Sequence, residues 1–128
     1  MIAFFQSRVL SFRNAFTGWW YVIRTQRNAW IHTLATFCVF ALGLWLKLEL
    51  RDWAVLLLTI AMVWTAEFLN TALEAVVDLA SPQRHPLAKV GKDVGAAAVL
   101  IAALSAIVIG VLILGPPLWS RLTELFNK

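Results

Sequence analysis

Charge is scarce in this sequence. Only 14% of its 128 residues are Asp, Glu, Lys or Arg, against about 25% in a soluble globular protein. With 61% of the residues hydrophobic, too little polar material remains to coat a water-exposed surface. That excludes an ordinary soluble domain and points to a bilayer. Cysteine is nearly absent. Cys38 stands alone, which excludes an intrachain disulfide and a multi-thiolate metal site. Inside an apolar run it reads as a small buried side chain. The opening residues are not expected to act as a secretory leader: residues 1–5 are apolar, but Gln6, Ser7 and Arg8 interrupt them at once and no small-residue cleavage site follows. The later apolar segments are therefore expected to persist in the mature protein. Neither a low-complexity tract nor an internal repeat divides the chain, and its length suits one domain.

What is present is hydrophobic length. Three stretches, 29–48, 53–80 and 94–114, each reach the roughly 20 residues a spanning helix needs at about 1.5 Å per residue. The second is longer, so its polar C-terminal third is expected to reach or pass the headgroups. Ahead of the first span, Phe5, Phe12, Phe16, Trp19 and Ile23 recur at spacings of seven, four, three and four, with Arg13, Thr17, Arg24 and Arg27 mostly between them. Aromatics on one face and cations on the other predict an amphipathic helix over 1–28, lying in the interface plane. Residues 47–52 and 81–92 connect the spans. Gly115, Pro116 and Pro117 are expected to end the third, leaving 117–128 as a short C-terminal tail with room for a brief helix. Arg8, Arg13, Arg24, Arg27, Arg84, Lys89 and Lys92 fall on one side of this plan; Lys47, Arg51, Arg121 and Lys128 fall on the other. The heavier side is expected to be cytoplasmic.

The second span carries the chemistry. Glu67, Asn70, Glu74 and Asp78 are spaced i, i+3, i+7 and i+11, which places them within a sector of about 80° on one helix face. Carboxylates near hydrocarbon cost at least a few kcal/mol each. A stripe of them persists only if a divalent cation, an opposing cation or a shared proton compensates. Magnesium suits such a stripe, because it takes oxygen ligands and commonly bridges a carboxylate and substrate phosphates. One such residue is readily explained as a hydrogen bond between helices; four on one stripe beside Lys89, Lys92 and Asp93 are not. Lys92 and Asp93 open the third span, where a helix N-terminus would attract phosphate. Gly95, Ala96, Ala97 and Ala98 follow and permit close approach.

The segment Glu67-Phe-Leu-Asn-Thr-Ala-Leu-Glu-Ala-Val-Val-Asp78, followed by His85-Pro-Leu-Ala-Lys-Val-Gly-Lys-Asp93 and an alanine-rich helix, closely resembles the prokaryotic diacylglycerol kinase family, which includes undecaprenol kinases. Arg24-Thr-Gln-Arg-Asn28 and His32 resemble the family's segment before the first span. The resemblance implies an all-α integral membrane protein that forms a homotrimeric helical bundle with active sites shared between neighbouring subunits. It implies phosphoryl transfer from MgATP to a membrane lipid alcohol on the cytoplasmic side of the membrane. The family uses no P-loop, and no GxxxxGK[ST] run occurs here. By position, Glu67 would be the catalytic base and Glu74 a Mg2+ ligand that also faces the nucleotide. Lys92 and Asp93 would contact the nucleotide, with His85 nearby. Asn70, Asp78, Arg24, Arg27 and Asn28 would support the site or the substrate. One departure stands out: Gln26 occupies a position where the family commonly carries a second metal-binding glutamate, so its carbonyl oxygen would have to serve without a charge. Diacylglycerol and undecaprenol both remain as substrates, with His85-Pro-Leu-Ala-Lys89, Arg27-Asn28 and His32 leaning towards undecaprenol. The rival classes are a non-catalytic helical scaffold, supported only by Gln26, and a small transporter, which would have no use for the Lys92-Asp93 pair.

Overall fold

The computed structural model describes residues 1–127 as four helices: α1 (Ile2–Thr25), α2 (Arg27–Leu46), α3 (Leu50–Ala80) and α4 (Pro86–Phe126). Lys128, counted above among the cations of the lighter side, lies outside the described residues. Helices α2, α3 and α4 are each long and apolar enough to cross a membrane, and no strand occurs among the described residues. The expected plan of three spans preceded by one further helix therefore holds.

The joints differ from their sequence-based bounds. Only Gln26 separates α1 from α2, with extended torsions (φ −102°, ψ 121°), and its N–H still donates to Val22 O at 2.9 Å. No glycine or proline marks this break, so periodicity alone ran the first helix to residue 28. The turn after α2 is tight. Lys47 adopts the left-handed conformation (φ 55°, ψ 49°), and the Lys47 and Leu48 N–H groups close back onto Leu44 O and Gly43 O, a helix-ending pattern usually given to glycine. Gly43 itself is needed for approach, because a Cβ there would stand 2.8 Å from the Trp53 ring.

Helix α4 begins at Pro86, two turns earlier than the apolar run. Proline is favoured in a helix's first turn because its missing N–H would have no partner there. His85 Nδ1 then caps the Leu87 N–H at 3.2 Å. Lys92 and Asp93 consequently do not open the helix; they lie within it. The free N–H groups that attract phosphate belong to the turn after His85, which corrects the expectation stated above.

At the far end the apolar run stops at Gly115-Pro116-Pro117, but the helix continues through both prolines to Phe126. Each interior proline removes a backbone bond at a cost of about 3 kcal/mol. Packing on both sides of the pair holds the helix: Leu114 joins Leu46 and Leu56 in a buried cluster, and Leu118 packs against it. Ser120 Oγ also donates to the Pro116 carbonyl at 3.2 Å.

Large aliphatic and aromatic side chains dominate the exposed surface, and among the described residues every buried polar side chain, Thr59, Glu67, Asn70 and Thr71, comes from α3. This inside-out distribution is that of a helix bundle with lipid as its solvent. Cys38, expected to be buried, is exposed on α2; a small apolar side chain facing lipid needs no interior. Helix α3 packs most extensively on α4 and also contacts α1 and α2, so its polar stripe meets the rest of the chain from several sides.

Candidate active site

Environment along the stripe changes within three turns. At the deep end, Glu67 is completely buried (0% exposed) and neither carboxylate oxygen has a hydrogen-bond partner. The nearest polar group is His32 Nε2 on α2, 3.8 Å from Oε2 and itself buried and unpaired. One turn on, Asn70 is buried, with its Oδ1 packed where α4 offers only Gly95. A Cβ on that glycine would stand 2.5 Å from Oδ1.

Glu74 is half-buried and held by two amides. Gln26 Nε2 donates to one carboxylate oxygen at 3.2 Å, and Asn70 Nδ2 reaches the other at 3.5 Å. The extended backbone at Gln26 lets its side chain cross 48 positions of sequence to α3. Among the described residues no three His, Cys, Asp or Glu side chains converge on a point. The donor set nevertheless fits Mg2+, which uses one or two carboxylates and takes its remaining oxygens from phosphates and water. Rotation of either amide presents its carbonyl oxygen to a cation held by Glu74, and Asn70 Oδ1 is already without a partner.

Asp78, at the outer end, is exposed and accepts a hydrogen bond from Lys92 Nζ at 2.7 Å. That bond holds the Lys92 ammonium above the ordinary lysine value. Lys89 pairs with Asp93 one turn along α4. Asp78, Arg84, His85, Lys89, Lys92 and Asp93 line a cleft of about 640 Å³ between the end of α3 and the start of α4. The cations of this cleft outnumber its carboxylates, so it is suited to a polyphosphate. His85 spends Nδ1 on capping, which leaves its other nitrogen for a ligand.

Three apolar grooves flank α3. One of about 750 Å³, between α3 and α4, has Asn70 of the stripe and Gly95 on its wall; the other two carry residues next to the stripe. Of these two, one of about 770 Å³ lies between α1 (Phe12, Phe16, Trp19, Val22) and α3 (Phe68, Ala72, Ala75). The other, about 530 Å³, runs between α2, α3 and α4 and has His32 on its wall. The remaining candidates are not drawn onto the stripe. Arg24 lies over the Trp20 ring at 4.8 Å, and Arg27 and Asn28 are exposed at the start of α2.

The resemblance implied that Gln26 and Glu74 share a metal site, and the two side chains are in contact; the pairing of Lys92 with Asp78 was not anticipated, because Lys92 was expected to face the nucleotide. Sequence reasoning singled out His32 only as part of a family-like segment and missed its position opposite Glu67. A lone histidine in the apolar interior of the first span was the available signal. Trp64 went unnoticed, although it stacks near His32, Phe68 and Trp19 at ring separations of 6.2, 5.7 and 6.1 Å.

The chain is similar to known proteins over most of its length. The family model for prokaryotic diacylglycerol kinase matches residues 13–114. A diacylglycerol kinase of Synechocystis is 48% identical over 113 residues, which is 88% of this chain and 65%, just under two thirds, of the cyanobacterial protein. An undecaprenol kinase of Bacillus subtilis is 40% identical over 108 residues, 84% of this chain and 88% of that protein. A diacylglycerol kinase of Escherichia coli K12 is 34% identical over 89 residues, 64% of this chain and 73% of that protein.

Proposed function

Given that the chain belongs to the prokaryotic diacylglycerol kinase family, we propose that it phosphorylates a membrane lipid alcohol with MgATP, using diacylglycerol or undecaprenol as acceptor. The observation that carries this reading is the graded stripe of α3: a buried, unpaired Glu67 at one end, Glu74 clasped by amides in the middle, and Asp78 beside a basic cleft at the other. A lipid kinase needs such a gradient, because its hydroxyl comes from the bilayer and its nucleotide from water.

Phosphoryl transfer is mostly positioning plus electrostatic stabilisation. Glu67 accepts the proton of the lipid hydroxyl as that oxygen bonds to the γ-phosphorus and the bond to the bridging oxygen of ADP breaks. Glu74, with Gln26 and Asn70 beside it, would hold the divalent cation, which neutralises charge on the phosphates when bound. Lys92 and the turn after His85 receive the polyphosphate, and Asp78 keeps the Lys92 ammonium charged and aimed at the cleft. The apolar grooves beside α1 and α2 take the lipid chains. The seven-to-four distribution of cations favours a cytoplasmic site, and a homotrimer with shared sites would supply the contacts that one chain's carboxylates lack.

The replacement at Gln26 does not favour a non-catalytic scaffold. Its side chain still reaches Glu74, so the second ligand position is altered in charge but not lost. The test is direct: purified protein, radiolabelled ATP, and diacylglycerol and undecaprenol offered in parallel. Label is expected in a lipid monophosphate from at least one of them. No transfer to either lipid, from protein that remains folded in detergent, overturns the reading.

A further inference from the structure

Burial of Glu67 poses a chemical problem that the stripe does not solve. A carboxylate whose two oxygens are buried without a hydrogen-bond partner lacks the groups that would support its charge. It also has nothing on its own helix to set its rotamer. Glu74 lies two turns away on the same helix and carries the same charge. The cations of the basic cleft sit at the other end of α3. The one group from a neighbouring helix within reach is His32, whose Nε2 stands 3.8 Å from Glu67 Oε2. Both facing atoms are buried and neither has another partner.

The approach is built rather than incidental. Trp64, one turn before Glu67 on α3, sets its indole edge-on to the imidazole with ring centroids 6.2 Å apart. The indole N–H of Trp64 donates to Thr36 Oγ1 at 3.3 Å, and Thr36 Oγ1 donates to the His32 carbonyl at 2.7 Å. This chain of contacts ties α2 to α3 at the level of His32 and fixes the imidazole opposite the carboxylate. A separation of 3.8 Å is longer than a hydrogen bond, but bonds of this kind commonly tighten when substrate closes the site.

The geometry points to His32 as the positioning residue for Glu67. Its Nε2–H donates to one carboxylate oxygen, holds the side chain in one rotamer, and leaves the second oxygen for the lipid hydroxyl. This rests on the reading of Glu67 as the base. His32 acts through Glu67, the group it faces.

The test is a double-mutant cycle on the full chain in detergent, with whichever of diacylglycerol and undecaprenol the wild type phosphorylates. His32→Leu is expected to lower kcat by about ten- to a hundredfold, less than the roughly 10² to 10⁴ that a base contributes, with the KM for MgATP within about twofold of wild type. His32→Gln, whose amide N–H reaches about as far as Nε2–H, is expected to recover most of that loss. In a Glu67→Gln background, His32→Leu is expected to cost nothing more, because effects of residues acting as a unit do not multiply. Independent, multiplying losses, or a His32→Gln variant as slow as His32→Leu, overturn the role of His32 and leave Glu67 as base. A Glu67→Gln variant with wild-type kcat overturns the base assignment itself, and the inference with it.

Discussion

Glu67 and Asp78 occupy the same face of α3, about 16 Å apart along it at 1.5 Å per residue, and their surroundings are opposite. Glu67 is sealed, with a neutral-capable histidine as its nearest neighbour and no cation. Asp78 is exposed and already paired with Lys92. Two carboxylates of similar intrinsic chemistry are thus given different surroundings by their neighbours alone, and the proposed function assigns them different tasks. A paired, solvated carboxylate is a poor proton acceptor but a good anchor for a cation that must meet phosphate. A buried carboxylate without a hydrogen-bond partner has both oxygens uncommitted, which suits the proposed role of accepting a proton from a lipid hydroxyl. Glu74, between them, shares features of both: it is half-buried and held by two neutral amides, which suits the metal-binding role proposed for it.

The strongest way to break this comparison is at the deep end. Glu67→Gln keeps shape and removes the base, so kcat should fall by about 10² to 10⁴. Steady-state rates measured across a magnesium titration should show no rescue. Recovery with excess magnesium would place Glu67 among the metal ligands and erase the distinction between the two ends.

The middle of the stripe should respond to metal instead. Glu74→Gln is expected to raise the magnesium concentration for half-maximal activity by about tenfold or more, with partial rescue by excess metal. Gln26→Glu, which places a second carboxylate where the amide now donates to Glu74, is expected to lower that concentration. An unchanged requirement in both variants would remove the metal from this position.

Gly95 sharpens the comparison through packing. A methyl group there collides with Asn70 Oδ1, and overpacking typically costs about 1–3 kcal/mol, more than the roughly 1 kcal/mol that alanine gains over glycine in a helix. Gly95→Ala should therefore lower the thermal unfolding midpoint in detergent. An unchanged or raised midpoint would show that Asn70 moves aside freely. The smallest effect is expected at the outer end. Asp78→Asn breaks an exposed pair, and such pairs contribute at most about 1 kcal/mol, so the midpoint should barely shift. A loss comparable with that of Gly95→Ala would mean that Asp78 is not the solvated end of the stripe.

Much of this was legible in the chain itself. Three long apolar runs and a charge content too low for water require membrane helices, because the bilayer imposes length and composition without reference to partners. The stripe was legible for a similar reason: the helical repeat places residues i, i+3, i+7 and i+11 together wherever the helix sits. Local signals did less well at the joints. Nothing in the sequence marks Gln26 as a break, and Pro116-Pro117 signals a stop that packing of Leu114 and Leu118 overrides.

The sequence by itself determined the class of protein, the number of spans and the existence of a one-sided acidic face on α3, since each follows from composition or from the geometry of a single helix. Only the tertiary structure decided which carboxylate is sealed and which is paired, that His32 stands opposite Glu67, that Gln26 reaches Glu74, and that Lys92 answers Asp78 from inside α4 and not from its first turn. The apolar surfaces of α2, α3 and α4 are chemically interchangeable, so the sequence of any one helix is silent on which neighbour its polar face will meet. That choice is made by close contacts such as Gly43 against Trp53 and Gly95 against Asn70, which set the helices in one register and exclude the others.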